Sequence, residues 1–337
     1  MRPFNYRRAH SEEDALRAYS PTNEVPTEAP VQYLAGGTTM LDLMKLDAMR
    51  PQHLVDIGDL TQYDYIRATP EGLQLGALTR MHRAAADPSI QREYPVIAQS
   101  LQLAASAQIR NMATLGGNVL QRTRCNYFRN TDWPGCNKRA PGSGCSALAG
   151  VNRKHAVLGV SDQCISAYPG DFAQALVALE ATVEIAGQRG KRVLPFEQLH
   201  CEAVDPHRET VLRSGELITG FTVPSRPWMR RSLYLKVRDR ESYEFALASA
   251  AVALHLEAQQ VLAVRVALGG VAYRPWRSRT AEQALVGQTL NEETANAAAQ
   301  AAFAEAVTHP GNEFKPELGR RTLVRALLQA SAMEVNS

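Results

Sequence analysis

Residues 31 to 46 read VQYLAGGTTMLDLMKL, and the fold turns on how this stretch is parsed. A short apolar run, VQYL, leads to the paired glycines Gly36 and Gly37, after which Met40, Leu43, Met44 and Leu46 recur at helical spacing. Apolar run, glycine pair and helical period together give a strand, a tight turn and a helix. The turn is neither a G-x-x-x-x-G-K-[ST] loop nor a G-x-G-x-x-G. It can still hold an anion, because the glycines let successive N–H groups and the Thr38 and Thr39 hydroxyls face one point at a helix start. A turn of this kind also serves as a plain connection, and TLGGN at 114 to 118 carries the same ambiguity. Two such loops in one chain suit a dinucleotide held between them.

Upstream, SEEDALRAYS predicts a helix capped by Ser11 with acidic residues in its first turn. Downstream, HLVDI and LQLGALT predict short strands, and residues 88 to 109 predict a helix that runs into RNMATLGGNVLQ. DFAQALVALEATVEIAG predicts helix then strand, and GELITGFTVP a strand stopped by Pro224. SRPWMRR, residues 225 to 231, marks a boundary. Beyond it, ASAAVALHLEAQQVLAVRVALGGVA predicts two strands joined by a polar turn, followed by alanine-rich helices from near Asn291 and near Pro316. The class is α+β, with antiparallel strands and helices segregated toward the C-terminus.

With 337 residues, 45% of them hydrophobic, the chain can bury the cores of two or three domains. A net charge of +3, with scattered cations, falls short of a nucleic-acid-binding surface. The N-terminus has no apolar signal core, and the longest nearly apolar run, Phe245 to Leu256, is too short to cross a bilayer. The expectation is synthesis in the cytoplasm with no export signal of the chain's own, and no membrane span.

Five cysteines is an odd count in a chain large enough to fold without disulfides. Cys125, Cys136, Cys145 and Cys164 fall in one region, and Cys201 lies apart as an ordinary buried thiol. No close C-x2-4-C knuckle exists, which makes zinc the weaker metal reading. Four thiolates around an iron–sulfur cubane need cations, backbone N–H donors and shielding. Residues 121 to 154 supply Arg122, Arg124, Arg129, Lys138, Arg139, Arg153 and Lys154 against one acid, Asp132. Pro141-Gly142-Ser143-Gly144 offers open backbone, and Tyr127, Phe128 and Trp133 offer cover. Buried free cysteines beside a solvated basic loop are the competing reading, and the same cations would suit docking on an acidic partner. Asp171 reads by default as a helix cap, and Lys236 and Arg238 as solvated charges. The histidines show no metal-ligand spacing, and no Ser/His/Asp order forms a triad.

LAGGTTMLDLMK, ATLGGNVLQRTRC, CNKRAPGSGC, the YPGD of 168 to 171, GELI and KVRDRESYEFALASAAV, taken together and in order, resemble the FAD-binding subunit of the molybdenum hydroxylases. This is the xanthine dehydrogenase and aldehyde oxidase family, and the likeness runs from about residue 3 to about residue 333. The inserted cysteine segment is most similar to that of heterotrimeric bacterial aldehyde oxidoreductases, whose flavin subunit carries a [4Fe-4S] cluster; 4-hydroxybenzoyl-CoA reductase is the alternative branch.

The resemblance implies an FAD-binding domain of the vanillyl-alcohol-oxidase-like kind over 1–226, with subdomains of about 1–58 and 59–226 and an iron–sulfur insertion at 122–165. A small α+β domain with a three-stranded antiparallel sheet would follow over 227–337. It further implies that Leu34, Ala35, Gly36, Gly37, Thr38, Thr39, Met40, Leu41 and Asp42 wrap the FAD pyrophosphate, and that Thr114, Gly117 and Asn118 form the second loop. Asp171 would bind polar flavin atoms, Ile218 would lie against the ring system, and Lys236 near it. Cys125, Cys136, Cys145 and Cys164 would hold the cluster. The implied partners are a small subunit with two [2Fe-2S] centres and a large molybdenum-pterin subunit that oxidises an aldehyde, with electrons leaving through FAD to an external acceptor. Export to the periplasm would need a signal on a partner. The rival class is a non-redox scaffold with zinc or no metal.

Overall fold

The structure is a computed structural model that describes residues 1 to 19 and 26 to 335. The first unit contains β1 (Asn5–Arg8), α1 (Glu12–Arg17), β2 (Val31–Leu34), α2 (Met40–Lys45) and β3 (His53–Asp56). Ser11 Oγ caps α1 by accepting from the Asp14 amide at 3.1 Å, as its side-chain chemistry predicts. Ser20, the last residue of that predicted stretch, lies outside the described residues. The three strands form a parallel sheet in the order β1-β3-β2, so that VQYL enters as an edge strand and the glycine turn leaves from its C-terminal end.

The second unit begins with β4 (Ile66–Thr69) and β5 (Gly72–Gly76). Seven short helices then precede its remaining strands: α3 (Met81–Ala86), α4 (Pro88–Glu93), α5 (Pro95–Gln102), α6 (Ala107–Met112), α7 (Leu115–Val119), α8 (Asn126–Arg129) and α9 (Phe172–Ala178). β6 (Thr182–Gly187), β7 (Gly190–Pro195) and β8 (Leu217–Pro224) complete an antiparallel sheet in the order β4-β5-β8-β6-β7. The single helix expected over 88 to 109 is broken into three. Pro95 has no N–H to continue α4, and Ala105, at φ 50, turns the chain before Ser106 caps α6.

The third unit holds β9 (Ser232–Val237), β10 (Ala248–Glu257), β11 (Gln260–Gly269) and β12 (Trp276–Arg277), then α10 (Arg279–Leu285), α11 (Glu292–Ala302) and α12 (Lys315–Ser331). The expected three antiparallel strands are present, with the two-residue β12 as a fourth at the edge. Side chains of β10 alternate between two cores. Ala251 and Ala253 join the large core with Phe172, Phe221 and Tyr234, while Ala250, Val252 and Leu254 join the core under α11 and α12. A strand buried on both faces explains why ASAAVAL reads as a continuous apolar run.

Candidate functional site

The two glycine loops meet backbone to backbone. A Cβ on Gly36 would lie 2.0 Å from the carbonyl oxygen of Met112 and 3.1 Å from Cα of Ala113, so only glycine permits the approach. Gly37 sits at φ +73, in the left-handed region that turns the chain toward α2. One residue past Ala113, the Thr114 hydroxyl caps α7 by accepting from the Gly117 amide at 3.2 Å. Gly116 donates to Ala77 O at 2.8 Å, and Ala77 donates to Thr219 O at 3.0 Å, which brings β8 alongside.

Leu34 to Asp42, Thr114 to Asn118 and the backbone next to Ile218 are therefore one neighbourhood, although the Ile218 side chain itself is buried in the large core. Leu34, Ala35, Gly36, Gly37, Thr38, Thr39 and Met40 are half-buried, and Leu41 is exposed. Thr39 occupies the cap position of α2 without a capping hydrogen bond, and Asn118 Oδ1 is buried with no partner among the described residues. A backbone cradle and an orphaned amide oxygen fit a polar ligand seated between the loops.

Asp42 faces the other way. Its carboxylate accepts from both guanidinium nitrogens of Arg129 at 2.8 and 3.0 Å, and from Arg124 at 2.9 Å. Burial works against its charge, but the two guanidiniums more than offset this and hold its pKa below the usual carboxylate range.

Asp171 and Lys236 form a buried ion pair at 2.8 Å, with side chains 5% and 1% exposed. Both default readings are overturned. Asp171 stands at the cap position of α9 without capping it; its second oxygen accepts from Tyr234 Oη at 2.6 Å. Lys236 also donates to Leu103 O at 3.0 Å, and the partly buried Arg238 reaches the same carbonyl at 3.2 Å. Tyr234 was not legible as a site residue. Its phenol is pushed up foremost by burial, so it remains a proton donor to Asp171.

Cys125, Cys136, Cys145 and Cys164 converge. Cys125 interacts electrostatically with Cys136 and Cys164, Cys136 with Cys164, and Cys145 with Cys125, while Cys145 and Cys164 share a hydrogen bond. Neighbouring backbone groups favour the thiolates, those of Phe128 and Tyr127 at Cys125, of Arg139 and Lys138 at Cys136, of Ala147 and Ile165 at Cys145 and of Ser166 at Cys164, and the Cys164 thiol donates to Ser166 Oγ at 3.4 Å. Burial pushes the Cys125 thiol up to about 12 and raises that of Cys136. The bond between Cys145 and Cys164 lowers the first to about 7 and raises the second.

As free thiols Cys125, Cys136 and Cys164 are costly to ionise, and Cys145 is not. A donor set of four converging thiols, with backbone groups that favour the thiolate, fits a cluster that takes them in that form. Among the described residues, no three His, Cys, Asp or Glu side chains stand as a cage for a single metal ion. Cys201 is separate, near Asp205, Arg208 and Arg274.

All seven cations of the segment are paired inside the chain, which overturns their reading as a surface for an acidic partner. Arg122 and Lys138, both buried, bind Glu209, the latter at 2.9 Å, and Lys138 also donates to the Tyr273 hydroxyl at 2.7 Å. Arg124 and Arg129 hold Asp42. Arg139 donates to the carbonyls of Tyr127, Phe128 and Asn130 at 2.7, 3.0 and 3.3 Å, and also to that of Trp133. Arg153 binds Asp239 at 2.8 Å, and Lys154 binds Glu244 at 3.4 Å.

Burial works against the charge of Glu209, but its two cations bring its pKa down to about 2. Tyr127 and Phe128 are buried over the thiols as expected, whereas Trp133 is exposed and meets Tyr127 edge-on at 5.2 Å. His155 was also not singled out by the sequence. It is buried, held down at about 4 chiefly by desolvation, and places Nε2 3.2 Å from Cys125 Sγ.

No helix among the described residues is long and apolar enough to cross a membrane. Residues 2–226 match the FAD binding domain in molybdopterin dehydrogenase, and residues 233–334 the CO dehydrogenase flavoprotein C-terminal domain. The chain is 42% identical to the aldehyde oxidoreductase FAD-binding subunit PaoB of Escherichia coli K12, over 98% of this chain and 99% of that one. It is 25% identical to the glyceraldehyde dehydrogenase medium chain of Sulfolobus acidocaldarius, over 98% of each. In fold it is similar to a chain of the reconstituted CO dehydrogenase from Oligotropha carboxidovorans, with a TM-score of 0.76 at 24% identity, covering 99% of this chain and 100% of that one.

Proposed function

The chain belongs to the FAD-binding subunits of the molybdenum hydroxylases, and from that premise we propose that it serves an aldehyde oxidoreductase and holds a [4Fe-4S] cluster beside its flavin. It is the flavin subunit of complexes of the aldehyde oxidoreductase and CO dehydrogenase type. The aldehyde branch is favoured by the likeness to PaoB, which exceeds that to the carbon monoxide dehydrogenase medium chain of Afipia carboxidovorans, at 26% identity.

The observation that carries the cluster is the convergence of Cys125, Cys136, Cys145 and Cys164, each interacting with at least one other of the four. Leu34 to Asp42 would enclose the pyrophosphate, with the backbone of Gly36 and Gly37 rather than the Asp42 carboxylate as the contact. Thr114, Gly117 and Asn118 would close the other side, with Ile218 near the ring and Asp171 and Lys236 supplying polar contacts. FAD, when bound, supplies the change between two-electron and one-electron transfer; the chain orients it and sets the charge around it. A small [2Fe-2S] subunit and a large molybdenum-cofactor subunit would complete a heterotrimer, in the cytoplasm or co-exported to the periplasm. The division at 226/227 would separate the flavin-holding part from the C-terminal domain.

Flavin and iron analysis of the purified protein tests this reading. One FAD and four irons per chain, with flavin bands over a broad iron–sulfur shoulder, are expected. A colourless protein, or zinc in place of iron, would overturn it. Rapid reduction of the assembled complex by an aromatic or aliphatic aldehyde, with no response to carbon monoxide, tests the branch.

A further inference from the structure

Two uncharged side chains stand at hydrogen-bonding distance from the four sulfurs: the Ser166 hydroxyl, 3.4 Å from Cys164 Sγ, and the His155 ring. His155 is buried, with Nε2 3.2 Å from Cys125 Sγ and Nδ1 buried without a hydrogen-bond partner of good geometry among the described residues. Its main chain is fixed from three directions. The amide donates to Asn152 O at 2.8 Å within the segment. The carbonyl accepts from Lys315 Nζ at 2.8 Å, and that fully buried lysine of α12 also donates to Gly270 O at 2.6 Å. The next residue, Ala156, donates to Ile165 O at 2.9 Å, just past Cys164. The backbone that carries the ring to Cys125 is thus tied to the C-terminal domain and to the Cys164 turn. Packing alone does not explain an imidazole here, since an apolar ring would fill the space without orphaning a nitrogen.

We infer that His155 donates a hydrogen bond from Nε2 to the Cys125 sulfur and thereby raises the reduction potential of the cluster held by the four cysteines. The inference rests on the cluster reading above. A thiolate ligand has lone pairs and no proton, so the nitrogen facing it must carry the hydrogen; Nδ1, which meets no hydrogen-bond partner of good geometry among the described residues, is left as the unprotonated nitrogen. The reduced cluster carries one more negative charge than the oxidised one, and a donor to its sulfur stabilises the reduced form more. One electron enters, no bond forms or breaks, and no proton is taken up. In a titration dithionite supplies the electron, and in turnover the reduced iron–sulfur centres of the partner subunit do. His155 is in this sense a positioning and tuning residue, touching the ligand and not the substrate.

The test is a redox titration of the purified complex followed by electron paramagnetic resonance, on wild type, His155→Leu and His155→Gln, with iron counted in each. Glutamine can present an amide N–H where Nε2 stands. His155→Leu is expected to keep its iron and to lower the midpoint, shifting the ratio of reduced to oxidised cluster roughly tenfold at fixed potential, about 59 mV for one electron. His155→Gln is expected to stay near wild type.

Equal midpoints in all three proteins, each with full iron, would overturn the inference and leave the cluster reading standing. Wild type without iron would sink the cluster reading itself. If His155→Leu loses iron, His155→Gln decides. Full iron at the wild-type midpoint supports the donor role, and loss of iron there too assigns His155 to packing or ligation instead.

Discussion

Residue by residue, the site depends on buried charges that are safe only in pairs. Lys236→Met would leave Asp171 charged, buried and short of its cation, which costs on the order of 3–5 kcal/mol. The double variant Asp171→Asn, Lys236→Met should recover much of that loss, because an amide can accept from Tyr234 without a counter-charge. Thermal denaturation of the two variants measures the difference; equal stabilities would show that the pair carries no coupling. Among the thiols, Cys136→Ser replaces a soft ligand by a hard hydroxyl and should lower iron content, whereas Cys201→Ser, outside the converging set, should leave it unchanged. Equal iron in wild type and Cys136→Ser would remove Cys136 from the ligand set.

Among the elements, the turn between β2 and α2 is the most exacting. Gly37→Val places a β-branched residue at φ +73, a strain of about 1–3 kcal/mol, and Leu41 Cδ1 stands 3.1 Å from the new Cβ. FAD occupancy should fall while β9 to β12 and α10 to α12, which have their own core, stay folded. Full occupancy would reduce this turn to a connection. The turn was legible because glycine pairs, apolar runs and helical period are local signals; so were α1, α9, β8, the β10–β11 hairpin and the convergence of four cysteines against one. β1, β4, β7 and α10 were not: β4 and β7 are largely exposed edge strands without an apolar alternation, held by their hairpin neighbours β5 and β6, and β1 pairs far along the chain. β1 is exposed along its length and exists as the neighbour of β3.

The same limit hid the pairing of the cations. Glu209 lies 71 positions from Lys138, and no local pattern announces the bond. That bond has a consequence in acid. Glu209 falls from an ordinary 4.5 to about 2 in the folded chain, so its stabilisation is complete above 4.5 and is lost as pH falls through 2, because the unfolded chain takes the proton first. Hydrogen exchange of residues 122 to 165 should quicken across that window in wild type, and should already be fast at neutral pH in Glu209→Gln.

At the scale of the whole molecule, the cysteine segment joins all three units. It reaches the first through Asp42, the second through Glu209, and the third through Asp239, Glu244, Tyr273 and Lys315. Met40 and Leu43 of α2 share one apolar cluster with Phe128, Cys125 and Cys136, so the helix that follows the flavin loop and two proposed cluster ligands rest on the same side chains. A segment placed this way cannot be only a surface staple: whatever orders the thiols also positions the loop at Leu34 to Asp42. Losing the cluster should therefore loosen FAD, through Met40 of the flavin loop, which packs in that apolar cluster with Cys125 and Cys136.

Asp42→Asn tests this coupling from the other end. It removes the charge that Arg124 and Arg129 share, and because all three groups are partly exposed the loss of stability should be small, about 1 kcal/mol. Iron should stay in place, since none of the four thiols is altered. FAD should nonetheless dissociate faster, as read from the recovery of free flavin fluorescence after dilution, and Cys136→Ser should show the same acceleration. If Cys136→Ser loses iron and releases FAD no faster than wild type, the two cofactor sites are energetically independent, and the shared apolar cluster under α2 transmits nothing between them.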